Sequence, residues 1–107
     1  MRTHSISLNP PQSNTIGGPF RLISLLAQHL PKYGWEVIDN PEKADIVHGH
    51  ALCKIDHLDC YTNHGVYPIT VESPIWQRQA NQQIARCFKI ADEITTISKW
   101  TASQWQW

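Results

Sequence analysis

Long apolar runs are missing from this chain, and no stretch approaches the roughly 20 residues a bilayer-spanning helix needs, so a membrane span is excluded as an expectation. A secretory leader pattern is missing too: Met1-Arg2-Thr3-His4-Ser5 leads into a short strand-like segment without an extended apolar region. Charge of one sign is not in excess. Nine Lys and Arg balance nine Asp and Glu, and no basic run occurs, which argues against a nucleic-acid partner. Cysteine is scarce: Cys53, Cys60 and Cys87 make an odd count of three without a CxxC spacing. Reduced thiols and a cytoplasmic location are the expectation. Several signatures of catalysis are absent as well. There is no GxGxxG dinucleotide fingerprint, no GxxxxGK[ST] phosphate loop and no GxSxG nucleophile elbow. Asp45, Asp56, Asp59 and Glu72 form no recognisable acid/base pair, so two-carboxylate glycoside hydrolysis has no warrant.

What is present is a chain of 107 residues, enough for one domain over 1–107 with a core of its own. Its most informative stretch joins the apolar Ile6-Ser7-Leu8 through a polar loop to Gly17-Gly18-Pro19-Phe20-Arg21. A glycine pair lets backbone approach a ligand without a Cβ in the way. Backbone N–H groups at a helix start attract phosphate or sugar oxygens, and Pro19 suits the first helical position.

Apolar spacing predicts strands over residues 4–8, 35–38, 44–48, 58–62 and 93–97, and helices over 19–33 and 74–91. One helical turn is predicted at 41–44, loops at 9–16 and 63–73, and no assignment at 50–57. Phe20, Ile23, Leu26 and Leu30 form one helical stripe, widened by Leu22 and Leu25. Trp76, Ala80, Ile84, Cys87 or Phe88, and Ala91 form another, which makes Cys87 a core residue. Pro31 should end or distort the first helix, with Gly34 as its C-terminal cap. The alternation implies an α/β, Rossmann-like three-layer domain with a mainly parallel sheet of about five strands. Ligands on such sheets sit beyond the C-terminal strand ends. Those ends are Asn9 to Gly18, His48 to His50, Asn63 to Tyr67 and Ser98 to Thr101.

Each candidate there has a plain alternative. Gly17-Gly18 is a ligand-approaching loop or a tight turn into a helix. His48-Gly49-His50 places two imidazoles on one side of an extended segment. They suit sugar or phosphate hydrogen bonding, a metal, or a surface strand end. His57, His64, Cys53 and Cys60 lie nearby in sequence and keep zinc open, though no pair has a common finger or ribbon spacing. Asn63-His64-Gly65 is a ligand-facing strand end or a turn in which Asn and Gly tolerate positive φ. Ser98 reads first as a helix N-cap.

Four stretches in order resemble the N-terminal domain of GT-B glycosyltransferases, in particular glycosyltransferase family 4. They are Gly17-Gly18-Pro19-Phe20-Arg21 through Leu30, Tyr33-Gly34-Trp35-Glu36-Val37, Ala44-Asp45-Ile46-Val47-His48-Gly49-His50, and Ala91 to Thr101. The resemblance implies retaining transfer of a sugar from a nucleotide-sugar donor to an acceptor hydroxyl, with this chain supplying the acceptor-side half of the cleft. It implies a contact of His64 with the donor sugar, in the catalytic role. It implies substrate binding by Gly17, Gly18, His48, His50, Asn63, Gly65 and Ser98. No metal and no cofactor beyond the donor itself is implied. The family's nucleotide-binding second domain is missing, and the stretch from His50 to Thr62 is short for the family. The chain alone is therefore expected to be inactive. The bare ending at Trp105-Gln106-Trp107 likewise suggests the N-terminal part of a longer protein, or docking on a partner chain. The rival readings are a non-catalytic α/β module that binds a sugar or phosphorylated ligand, and a His/Cys metal-binding domain.

Overall fold

The computed structural model describes residues 4–11 and 18–97. Strand β1 (His4–Asn9) is followed by helix α1 (Gly18–His29), a 3-10 helix (Leu30–Tyr33) and strand β2 (Trp35–Val37). A 3-10 turn (Pro41–Lys43) then precedes β3 (Ile46–His50), and β4 (Leu58–Asn63), α2 (Ile75–Ile90) and β5 (Ala91–Thr96) complete the order. The five strands form one sheet in the order β2-β1-β3-β4-β5, and every pairing is parallel. Every strand therefore delivers its C-terminal end to the same edge. Among the described residues, no helix is long and apolar enough to cross a membrane.

Successive residues of a strand face opposite sides, and β3 shows what this does. Ile46 packs into the cluster of Ile6, Leu8 and Ile23, to which α1 adds Leu26 and Ala27. Its neighbour Val47 packs into the cluster of Cys53, Leu58, Tyr61, Ile84 and Cys87, to which α2 contributes. The two helices thus cover opposite faces, which makes three layers. Fully burying an aliphatic side chain such as Ile23 or Leu58 stabilises by about 2 kcal/mol.

Pro31 has no N–H and cannot sit inside an α-helix. The α-helix accordingly stops at His29 and the chain tightens into the 3-10 helix. Gly34 ends it at φ 88°, a left-handed position, and its N–H reaches the carbonyl of Pro31 at 3.2 Å. Three expectations shift. The third strand starts two residues later than expected, because Asp45 is engaged at its entry: Ser5 N–H donates to its carboxylate at 2.9 Å, and its own N–H donates to Ser5 Oγ at 2.9 Å. The fifth strand starts at Ala91 with no loop after α2, since the Ala91 N–H still caps the helix at the Cys87 carbonyl while the residue pairs with Leu58. Trp76 is no core residue. It is 53% exposed and meets Tyr67 edge-on, with ring centroids 5.1 Å apart.

Of the stretch without an assignment, 50–57, His50 ends β3 and 51–57 is a bare connection between parallel β3 and β4. Such crossovers usually run a dozen residues or more and carry a helix. Here α2 holds the short one in place. Gln83 Nε2 donates to the Cys53 carbonyl, Arg86 Nη1 donates to the Ile55 carbonyl at 3.2 Å, and Arg86 pairs with Asp56. Cys53 is drawn into the core beside Cys87, whose Sγ lies 3.3 Å from the Cys53 carbonyl oxygen.

Candidate functional site

Polar side chains are costly to bury, so where they are buried is informative. The buried polar residues are Ser7, Asn9, His50, Thr62 and Asn63. All lie toward the C-terminal ends of the three central strands β1, β3 and β4. Among the described residues the fold therefore concentrates its buried polarity at one edge.

The sequence His48-Gly49-His50 forms the end of β3 itself, instead of following it. Its strand geometry puts both imidazoles on one face, with ring centroids 4.1 Å apart. Gly49 faces the other way, against Tyr61 and Leu58. A Cβ there would stand 2.9 Å from Leu58 Cδ2 and 3.2 Å from Tyr61 Cδ1. His48 Nε2 lies 2.8 Å from Thr62 Oγ1, and Thr62 Oγ1 lies 2.7 Å from Thr95 Oγ1. A polar row thus crosses β3, β4 and β5. His50 Nδ1 lies 3.1 Å from His64 Nε2.

Asn63 is the last residue of β4 and fully buried. Its Oδ1 accepts the Gly65 N–H at 2.9 Å, which closes a small turn with Gly65 at φ 128°. That turn carries His64 out over the end of the sheet. His64 and Gly65 line a pocket of about 340 Å³ together with Pro19 of the first turn of α1, Leu52 and Tyr67. The wall formed by 51–52 depends on Ala51, which leaves β3 with φ 50° and whose carbonyl accepts from the Tyr61 hydroxyl.

Burial keeps the three imidazoles neutral. It is the main reason His48 is held down to about 4, and the neighbouring His64 further disfavours protonating both rings at once. Burial likewise lowers His50 to about 3, helped by His48 and His64. His64 is shifted in the same direction by burial. The cysteines are structural in setting. Burial, helped by Asp59, pushes the Cys60 thiol up to about 11. Cys53 is buried and touches Cys87, the contact that chiefly lowers its thiol from the usual range.

Of the residues singled out from sequence, His64 and Gly65 line the pocket, and Gly18 begins the helix whose Pro19 borders it. His50 and Asn63 stand behind this surface, fully buried, and His48 is half-buried beside His50. Gly17 and Ser98 lie outside the described residues. Among the described residues, no group of three or more His, Cys, Asp or Glu side chains is arranged to hold a metal ion. Thr62, Thr95, Ala51 and Leu52 were not legible as site residues. Only the β3-β4-β5 register and the bare connection bring them there. Compared with known proteins, the chain matches no family model, no curated protein and no solved structure.

Proposed function

We propose that this chain forms the acceptor-side half of a glycosyltransferase cleft. Its partner half, a second domain or another chain, would bind the nucleotide-sugar donor. The carrying observation is the convergence of His64, Gly65 and the first turn of α1 on one pocket at the C-terminal edge of the parallel sheet. A neutral imidazole, backbone groups beside a glycine and a helix start suit sugar hydroxyls and phosphate oxygens. Gly65 leaves its backbone open, with nothing within 4 Å of where a Cβ would be. In this reading His64 meets the donor sugar, beside Gly65 and the helix start at Gly18.

The test is a titration of the isotope-labelled chain with nucleotide sugars and with simple glycosides, followed by amide and imidazole resonances. Shifts confined to Gly18–Phe20 and His64–Tyr67, and lost in His64→Ala, support the reading. Saturating zinc binding through His48 or His50 with no response to any sugar overturns it. Half a cleft holds its donor poorly, so the chain alone is expected to show no sugar transfer, and measurable transfer would refute that part.

A further inference from the structure

The contact between His50 Nδ1 and His64 Nε2 joins two ring nitrogens at 3.1 Å. In neutral imidazoles only one of them can carry the hydrogen, and the choice sets both tautomers. The rest of the His50 ring decides between them. His50 is fully buried, and its Nε2 is a buried atom without a hydrogen-bond partner. If His64 Nε2 were the donor, His50 would carry its hydrogen on Nε2, leaving a buried N–H with nothing to bond. Orphaned buried N–H groups are rare, and under-satisfied acceptors somewhat less so. With the hydrogen on His50 Nδ1, that donor is satisfied by His64 and only a bare acceptor lone pair is left unpaired.

We propose that His50 is a positioning residue. It donates its Nδ1–H to His64 Nε2 and so fixes His64 as the Nδ1–H tautomer beside the pocket. Three further features hold the arrangement. His48 packs against the His50 ring at 4.1 Å and is tied to Thr62 through its own Nε2. Gly49 puts both histidines on one face of β3 and lets Tyr61 close the other. The Asn63–Gly65 turn fixes the backbone on either side of His64. His64 Nδ1 has no protein partner among the described residues. It is therefore the ring's remaining polar group for a ligand, and it is a donor. Oxygen acceptors are what it would meet, and it would not draw a proton from a ligand through that atom. The inference concerns the two rings alone and stands whatever ligand the pocket takes.

The experiment is a long-range proton–nitrogen correlation of the histidine rings in the intact chain at pH 7. It is run on the wild type and on His50→Asn and His50→Leu. The expected wild-type spectrum shows His64 with a protonated Nδ1 and a bare Nε2, and His50 with a protonated Nδ1. In His50→Leu, His64 should lose that preference and shift toward the Nε2–H form that an unconstrained histidine favours. In His50→Asn the amide can donate from near the same place, and the wild-type pattern of His64 should return. A wild-type His64 protonated on Nε2 overturns the proposal, as does an unchanged His64 pattern in a folded His50→Leu. Because the wild-type spectrum is decisive by itself, failure of either variant to fold leaves the proposal open to refutation.

Discussion

Gly49 and Tyr61 are register partners on adjacent parallel strands, and the Tyr61 ring fills the space where a side chain at position 49 would begin. The pair explains why a glycine stands between two histidines in a buried strand. Glycine inside a strand is normally a weakness. Here it admits a large ring whose hydroxyl reaches over to the Ala51 carbonyl.

Gly49→Ala should therefore be costly. Its Cβ would meet Leu58 and Tyr61, both fully buried, which leaves neither room to move. Overpacking of this kind destabilises by about 1–3 kcal/mol. Urea unfolding should show a lower midpoint at an unchanged slope. The His48 and His50 ring signals should move as well, since their strand must shift.

Ala51→Gly should act in the opposite direction. A non-glycine residue at φ 50° carries a left-handed penalty of about 1–2 kcal/mol. Glycine removes it, less what it costs in the freedom of the unfolded chain. A net gain of about 0.5–1 kcal/mol is expected, read as a higher thermal midpoint. Gly34→Ala, at φ 88° with free space around it, should lose a similar amount through the backbone alone.

Acid should unfold the protein through its histidines. Their folded-state values lie below the unfolded value of 6.5, at about 4 for His48 and about 3 for His50, and His64 is lowered too. The unfolded chain then binds more protons below pH 6.5, so the stabilisation from keeping these rings neutral is whole above that pH. It is lost as pH falls toward 4 and 3. Each extra proton contributes a slope of about 1.4 kcal/mol per pH unit. Stability measured from pH 7 to pH 4 should fall, and His50→Gln should flatten the curve. An equally steep curve in that variant would contradict the assignment.

The clamp of α2 on the 51–57 connection predicts a local effect. Removing Gln83 and Arg86 together, as alanines, deletes their hydrogen bonds to the carbonyls of Cys53 and Ile55. A loss of about 2–4 kcal/mol is expected for the neutral and the charge-assisted bond combined. Hydrogen exchange should rise first at 51–57, ahead of the sheet. Exchange that rises uniformly would mean the connection is held by Cys53 burial instead.

Much of the site was legible because chemistry and periodicity point to the same edge. The strand-end list drawn from apolar spacing contains the pocket residues His64, Gly65 and Tyr67, and Gly18 beside Pro19. The C-terminal cap at Gly34 and the tightening at Pro31 follow from the backbone chemistry of those two residue types. Other features were not legible. Trp76 falls at core spacing on α2, yet it stands exposed in the first turn of the helix with its ring set edge-to-face against Tyr67. Residues 51–57 carry no periodic signal, because what holds them is a set of hydrogen bonds from a helix about thirty residues away in sequence.

The amino-acid sequence alone determined the alternation of strands and helices, the parallel class of the sheet and the edge where polar groups gather. Period, proline and glycine act locally, through sterics that a short window already contains. Only the tertiary structure decided that His50 lies behind His64, that Thr62 links His48 to Thr95, and that Tyr61 needs Gly49. These are relations between strands. They depend on register, which is settled when two faces of one sheet are buried at once.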